Sequence, residues 1–544
     1  MKRTANTDGS VGDFPTFRVF FSLAVVVLMF IAVVVIYSTV HFISKQGDVS
    51  GADSAVVAAG LHGFQTGRIY TDIDSYPYTA PAYGPLLYLA LEVLAYFSHG
   101  EFWPVMLAGR FFVFAAFLLL GPLIYLCARR VGSSGGSSAL GALAVLSMID
   151  FELGNVSVRP DVPALALGLL ALYFALPNQK IVGDFSLAAS GLCIAAEILI
   201  KQSMITAGLS IALWLLSRRE FRKLAIFAGV VVLPIAGIVG VLSLDQPVIA
   251  TMWLLRYAPK NLGTAIYVAM PSLAHSVFLL AFGIGGLLFG RGERAGLRLL
   301  QIYFVISWVL SPLMMLQVGA DTNYLLEGWA ACALLTPPAL ESMRSCWPLF
   351  ARWSRLALLC CVFLAAGLIG LRFRRADYVH EYPNAVELQH MTVLSDIGYL
   401  SAHGNRPELL DPYMNHSLEV TGHWSPQPII ANLERQYYDV AFVRTINGAV
   451  ASWRGVTFLD GPILNALNEK YDLLCLGPSA AVLVPRNRRT LDVHRASEIL
   501  NENCAVAPAR SLASAVQLSP HEPPLAARYY GRLRRLLGRK TGAD

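Results

Sequence analysis

Long apolar runs separated by short polar stretches fill the first two thirds of the chain. The runs are Val19–Ile43, Trp103–Leu126, Ala139–Met148, Asp161–Pro177, Phe185–Ile200, Met204–Leu216, Leu224–Leu242, Leu273–Phe289, Leu299–Leu316, Leu325–Leu340 and Leu356–Leu371. A helix needs about 20 apolar residues to cross a bilayer, so this pattern predicts about eleven spans. One further run, Pro85–Phe97, is half that length and reads as an interfacial or re-entrant helix. From Arg372 the pattern changes to short apolar runs of strand character. These are Tyr438–Val443, Tyr471–Leu476 and Ala480–Val484, the last two joined through Gly477-Pro478-Ser479 as a hairpin.

Charge fixes the sidedness. Lys2, Arg3 and Arg18 precede the first run, which places the N-terminus in the cytoplasm. With Pro85–Phe97 not spanning, Arg129, Arg130, Arg218, Arg219, Arg222, Arg291, Arg294, Arg344 and Arg352 all fall on that same side. The first run is too long for a signal-peptide core and no small-residue cleavage site follows it, so it reads as a retained anchor. The chain has 544 residues, 55% hydrophobic and 14% charged, against about 25% charged in soluble domains. The expectation is an all-α polytopic membrane protein over 1–371 and a small mixed α/β domain outside the membrane over 372–544. A basic tail, Arg528–Lys540, ends the chain and reads as solvated or headgroup-binding. The net charge of +6 belongs to the inner loops, and no basic face with interleaved aromatics suits nucleic acid.

The polar stretch that stands out is Gly47–Pro85, directly after the first span. Asp53 opens a breaker-free segment that predicts a short helix. Asp53, Val57, Leu61 and Phe64 fall on one face of it, seating a carboxylate above the bilayer. A carboxylate at a helix N-terminus is favoured in its ionised form. A second outer loop, 149–161, ends in Arg159-Pro160-Asp161. Together the outer loops 44–103 and 149–161 are where chemistry is expected.

The order of these features carries a resemblance. An N-in first helix leads to an outer loop with Asp53 at a helix start. Tyr83-Gly-Pro85-Leu-Leu-Tyr88 comes next, then Gly109-Arg110, then Arg159-Pro160-Asp161. This order resembles the GT-C glycosyltransferases, in the branch of protein O-mannosyltransferases and lipid A aminoarabinose transferases. The likeness is good over about the first 220 residues and architectural beyond them. The resemblance implies transfer of a hexosyl or pentosyl group from a polyprenyl-phosphate-linked donor to an acceptor hydroxyl. It implies the outer face of a bacterial cytoplasmic (inner) membrane, with a glycan, lipid or protein as acceptor. It implies Asp53 as base and Asp161 as assisting acid. Protein O-mannosyltransferases have Asp-Glu at the first position, where this chain has Asp53-Ser54. The Asp-x-Asp of metal-using relatives occurs only at Asp72-Ile-Asp74, too late in the loop, so no metal and no other cofactor is expected.

The chemistry asks for a base within about 3 Å of the acceptor proton and for positive charge on the departing phosphate. Lys201, Arg256 and Lys260 are the outer-face cations expected there, Lys201 at a position matching a phosphate-facing lysine of the aminoarabinose transferases. Arg159, Tyr83, Tyr88 and Tyr324 complete the expected donor site. Each has a plainer reading beside it. Lys201 also fits a helix-end lysine snorkelling to headgroups, Arg256 an interfacial anchor, and Asp53 and Asp161 helix caps. Asp72 and Asp74 fit solvated loop positions, and the in-span Glu197 fits a hydrogen bond to a neighbouring helix. Two other functions share these features: a polymerase or ligase of lipid-diphosphate-linked glycans, and a lipid or sugar transporter. The transporter reading lacks the paired mid-bilayer charges and repeated halves it wants. Among the eight cysteines, Cys475 and Cys504 are the two in the outer domain. A disulfide between them and Cys475 as a plain buried hydrophobe both remain open.

Overall fold

The computed structural model describes residues 15–506 except 347–379 and short stretches at 49–52, 80, 149–156, 178–182, 258–259, 291–294, 318–319, 409–410, 447–448, 451, 454–455, 458, 460 and 489. The predicted span Leu356–Leu371, the domain boundary at Arg372 and the tail Arg528–Lys540 lie outside the described residues.

The N-terminal part is helical: α1 Pro15–Ile43, α2 Asp53–Thr66, α3 Pro85–Phe97, α4 Phe102–Arg130, α5 Gly135–Leu146, α6 Asp161–Ala175 and α7 Asp184–Ile200. It continues with α8 Thr206–Ser217, α9 Phe221–Leu242, α10 Val248–Met252, α11 Leu262–His275, α12 Val277–Phe289, α13 Ala295–Met315 and α14 Leu326–Cys346. Most predicted runs fall on these helices within a few residues, and the half-length run is α3. The run Leu273–Phe289 is divided instead. It takes the end of α11 and all of α12, with a 76° bend between Val268–Ala274 and Val277–Phe289.

Among the described residues, three helices are long and apolar enough to cross a membrane, or four if the bent pair is one span. This is fewer than the eleven runs suggest, because helices such as α5, α6 and α8 are short. A helix of 12 residues such as α8 extends only about 18 Å. Their outer ends stop inside protein. Asp161 at the start of α6 is 0% exposed and Lys201 after α7 is 4% exposed. Irregular backbone at that depth is tolerated where protein covers it. The opposite case is α9, apolar throughout with only 6% of its most apolar window buried. Such a helix is stable only with lipid as its solvent.

The C-terminal part carries a small mixed sheet. Its strands are β1 Val393–Ser395, β2 Val440–Ile446, β3 Ala449–Val450, β4 Ser452–Trp453, β5 Val456–Thr457, β6 Tyr471–Leu476, β7 Ala480–Pro485 and β8 Ala505–Val506. The main sheet runs β1-β2-β7-β6-β8 with β3 beside β2, and β4–β5 form a separate ladder. The first pair is parallel, while β2–β7, β7–β6 and β6–β8 are antiparallel. All three predicted strands are present, and β6–β7 is the predicted hairpin, closed by Gly477 N–H donating to Ala480 O at 2.8 Å. β7 is buried along its whole length, so its continuous Ala-Ala-Val-Leu-Val run reads as a central strand. Cys475 and Cys504 form a disulfide, with Cα atoms 5.6 Å apart, tying the β6 edge to the chain leaving the helix Val493–Leu500.

The loop between α1 and α3 plugs into this domain. Ile73 is buried in one cluster with Leu394, Leu418, Trp424 and Ile429. Tyr382 N–H donates to Gln46 O at 2.7 Å, Asn415 Nδ2 donates to Tyr78 O at 2.9 Å, and Lys45 pairs with Glu381 at 3.1 Å.

Candidate active site

Helix α2 starts at Asp53, as the sequence predicts, but its surroundings differ from the prediction. Asp53 to Gly60 are buried at every position, Leu61 is 7% exposed and Phe64 is 38% exposed. The helix lies under α3, α4 and the helix Gly398–His403, so protein rather than the membrane surface covers the Asp53 face. The capping role falls to Asp48. Its Oδ1 accepts from Ser54 N–H at 3.0 Å and Ser54 Oγ at 2.7 Å, and its Oδ2 accepts from Tyr399 N–H at 2.9 Å. Burial, and then the charge of Asp53, push the Asp48 carboxyl up from its ordinary value.

The Asp53 carboxylate is thereby left for other partners. Oδ2 accepts from Arg110 Nη2 at 3.2 Å, with both side chains fully buried, and Oδ1 accepts from Ser157 Oγ. Arg110 also donates to Lys45 O at 2.6 Å, to Ile43 O at 3.3 Å and to Gly47 O. It therefore gathers the exit of α1 around the acid. Gly109 makes room for Val158, the residue after Ser157, since a Cβ there would stand 3.0 Å from Val158 Cγ1.

A second cluster lies at Asp161. Its Oδ1 accepts from Lys201 Nζ and from Asn323 Nδ2 at 2.7 Å, while its buried Oδ2 has no hydrogen-bond partner among the described residues. Lys201 Nζ stands 4.5 Å from the centre of the Tyr324 ring, a cation–π distance. Tyr83 comes to the same place because of the glycine after it. Gly84 N–H donates to Ile200 O at 3.1 Å, and a Cβ on Gly84 would sit 2.1 Å from Leu199 O. Only glycine lets this turn lie flat on the end of α7. The Tyr83 backbone is held by Tyr70 OH, which donates to Tyr83 O at 2.7 Å. Desolvation pushes the Tyr83 hydroxyl up to about 12, so at neutral pH it is a hydrogen-bond donor. Tyr88 is buried beneath, its OH accepting from Tyr83 N–H at 3.4 Å. It supports the Tyr83 backbone from below.

Arg159 joins the two clusters. It lies in the field of Tyr83, Asp161, Asp321 and Asp53 together, and Asp411 of the outer domain feels it as well. The structure thus brings Asp53, Asp161, Arg159, Lys201, Tyr83 and Tyr324 to one region. Arg256 and Lys260 do not join it. Both are exposed, Arg256 lying over the Tyr257 ring at 4.4 Å, and Tyr257 stacks on His423. Lys260 pairs by backbone with Gln317.

Ser157 and Asn323 are partners that sequence reasoning missed, and nothing in their local pattern marks them. Arg110 carried a signal, since an arginine inside an apolar helix is by default functional. Glu197 lacks the hydrogen bond weighed for it: both carboxylate oxygens are buried with no partner among the described residues. It packs on Gly168, where a Cβ would meet Oε1 at 2.3 Å. Glu327, whose Oε2 accepts from Thr206 at 2.8 Å, lies within its electrostatic reach. Among the described residues, no group of three or more His, Cys, Asp or Glu is disposed to hold a metal.

A helical N-terminal part, a buried acid on the loop after α1 and a small α/β domain are the arrangement expected from the sequence. The likeness to solved structures spans most of the chain. ArnT from Cupriavidus metallidurans in the apo state is similar with TM-score 0.58 at 13% identity, over 86% of this chain and 98% of that one. The same protein bound to undecaprenyl phosphate is similar with TM-score 0.56 at 13% identity, over 84% and 97%. No protein-family model and no curated protein matches the chain in sequence.

Proposed function

We propose that this protein is a glycosyltransferase that moves a sugar from a polyprenyl-phosphate-linked donor to an acceptor hydroxyl on the outer face of the cytoplasmic membrane. The N-terminus is then cytoplasmic and the α/β domain extracytoplasmic. The observation that carries the reading is the pairing of each buried outer-loop acid with its own fixed cation, Asp53 with Arg110 and Asp161 with Lys201. The ArnT fold, solved in one case with undecaprenyl phosphate, supports a lipid-linked donor.

In this reading Asp53 is the general base. The acceptor hydroxyl takes the place of Ser157 Oγ on Asp53 Oδ1 and gives up its proton there as its oxygen attacks the anomeric carbon. Arg110 holds the other carboxylate oxygen, fixing the direction of attack. The bond from the anomeric carbon to the phosphate oxygen breaks, and its electron pair leaves on the phosphate. Lys201, Arg159 and the Tyr83 hydroxyl are the groups placed to stabilise that developing charge, with Asp161 and Tyr324 positioning Lys201. Arg256 and Lys260 are assigned to an outer rim that meets the donor before it is seated. A resident metal is not needed for this chemistry, because fixed side-chain cations already balance both acids.

Purified protein in lipid, supplied with a panel of polyprenyl-phosphate-linked sugars, should release free polyprenyl phosphate and glycosylate an acceptor. Consumption of lipid-diphosphate donors alone would replace this reading with the polymerase or ligase one.

A further inference from the structure

A cavity of about 390 Å³ opens between the first outer loop and the α/β domain, lined by Tyr78, Arg406, Glu408, Asn432, Arg435 and Tyr437. It belongs to neither acid–cation cluster. Its size lies within the range of small-ligand sites, and its lining is selective. Two tyrosine rings offer surface on which the C–H faces of a sugar can stack. Two arginines stand at the rim, each held by a minority of its five donors. Arg406 Nη1 donates to Tyr437 OH at 3.4 Å and its guanidinium lies 4.2 Å from the Tyr76 ring centre. Arg435 donates to Asn432 Oδ1 at 2.6 Å and to Ala431 O at 3.1 Å. Both guanidiniums are therefore fixed in direction while keeping donors for a ligand.

The one acid of the lining lies within the field of Arg406 and is outnumbered by the two arginines. Glu408 is 2% exposed, and its Oε2 accepts from Tyr438 OH at 3.1 Å. Burial raises its carboxyl above the ordinary value. The open rim is thus cationic and amide-bearing, above an inward-facing acid. An anion carried on a polyhydroxylated ring matches all of these groups at once.

The cavity is also tied to the reaction centre. Tyr78 lines it, and Tyr83 stands in the cluster with Asp161 and Lys201 five residues later. Those residues span at most about 18 Å, a distance that a short oligosaccharide bridges. Asn415 Nδ2 donates to the Tyr78 carbonyl at 2.9 Å, which ties this edge of the cavity to the α/β domain.

We propose that this cavity docks an anionic saccharide of the acceptor, a sugar carrying a carboxylate or a phosphate, and so positions the acceptor chain for attack at the Asp53 site. The inference rests on the glycosyltransferase reading for the word acceptor, but its test reads binding alone.

Full-length protein in nanodiscs would be titrated calorimetrically with trigalacturonate, glucose 6-phosphate, maltotriose and inorganic phosphate, for the wild type and for Arg406→Ala/Arg435→Ala. Saturable binding of trigalacturonate or glucose 6-phosphate, weakened about tenfold or more in the double variant, is the expected result. Which of the two binds identifies the anion as carboxylate or phosphate. Maltotriose should not bind, and inorganic phosphate should bind more weakly than the sugar phosphate. Both arginines are exposed, so their loss should leave the fold and polyprenyl-phosphate binding unchanged, which the same samples report. Overturning results are no binding of either anionic sugar, equal binding in the variant, equal binding of maltotriose, or inorganic phosphate binding as tightly as the sugar phosphate. A failed titration beside intact transfer leaves the glycosyltransferase reading standing. Intact binding with no transfer from any polyprenyl-phosphate sugar removes that reading and leaves the cavity a saccharide site.

Discussion

Replacing Asp53 by Asn is the most informative single change, because it alters charge with almost no change in shape. Its effect on stability can be bounded from the contacts. Arg110 would lose its one charged partner while fully buried. Breaking a buried pair in this way costs about 3–5 kcal/mol when the remaining charge is left unsolvated. Here Arg110 keeps three backbone carbonyls, those of Ile43, Lys45 and Gly47, and the Asn oxygen still accepts. The loss is then nearer one charge-assisted hydrogen bond, about 2 kcal/mol. A membrane protein with ordinary stability of about 5–15 kcal/mol stays folded after such a loss. Removing a general base lowers turnover by about 10²–10⁴-fold, or about 3–5 kcal/mol in the barrier. Unfolding cannot mimic that, so the two effects separate. The assay is single-turnover release of polyprenyl phosphate from the sugar donor by Asp53→Asn and wild-type protein, each normalised to the folded fraction from a thermal melt. Donor affinity is measured in parallel and should barely change. Ser157→Ala serves as control: it frees Asp53 Oδ1 of a competitor and should retain most of the activity. A folded Asp53→Asn protein that turns over like the wild type would refute the base assignment.

Three further outcomes follow from the same geometry. Lys201→Met leaves the buried Asp161 with Asn323 and the field of Arg159 and should lower stability by about 2 kcal/mol; Asp161→Asn/Lys201→Met should regain most of that stability in thermal melts while donor affinity stays lost, whereas recovery of both would make the pair structural only. Burial raises the Asp396 carboxyl from 3.8 to about 6, so its contribution to folding is present in full below pH 3.8 and is lost as pH rises through 6. That loss amounts to about 3 kcal/mol, and Asp396→Asn should flatten the pH dependence of hydrogen-exchange protection in β1 and β2 between about pH 4 and 6. Cys475→Ala/Cys504→Ala opens a 29-residue separation and should destabilise the α/β domain by about 3.6 kcal/mol, read as faster exchange in β6 and β8; an unchanged rate would show that the bridge does not hold the domain.

The helical architecture was legible because membrane solvent imposes a coarse rule that apolar runs obey. The runs located most helices, the half-length α3 and the three main strands. Their outer ends were not legible, because α6 and α7 stop where protein rather than headgroups receives them. Asp53 could be found because a helix start in a polar loop after a span has a local pattern. The all-round burial of its helix was not legible, because the cover on its far side comes from Gly398–His403, more than 330 residues away in the chain. Lys201 and Asp161 were each found alone, but their pairing depends on how α6 packs on α7. Ser157 and Asn323 carry no signal, since hydroxyls and amides are ordinary in loops. Arg256 and Lys260 are exposed and apart from the two acid clusters, which a pattern of cations beside aromatics at span ends does not reveal.

The first outer loop has little regular structure beyond α2, yet the chemistry proposed here requires it to hold atoms within a fraction of an ångström. Its described residues are held by anchors from three parts of the fold. Arg110 of α4 binds its first carbonyls at Ile43, Lys45 and Gly47. The outer domain grips it through Tyr399 on Asp48, Asn415 on Tyr78 and the cluster around Ile73. Gly84 lays its end against α7 beside Lys201. Each anchor uses a hydrogen bond to the loop's backbone or to a capping acid, so Asp53 and Tyr83 keep their side chains for other partners. A substitution in the outer domain that loosens Ile73 should therefore displace Tyr83 and the acceptor cavity together without touching a reacting atom. This coupling gives the α/β domain a part in positioning the site as well as in covering it.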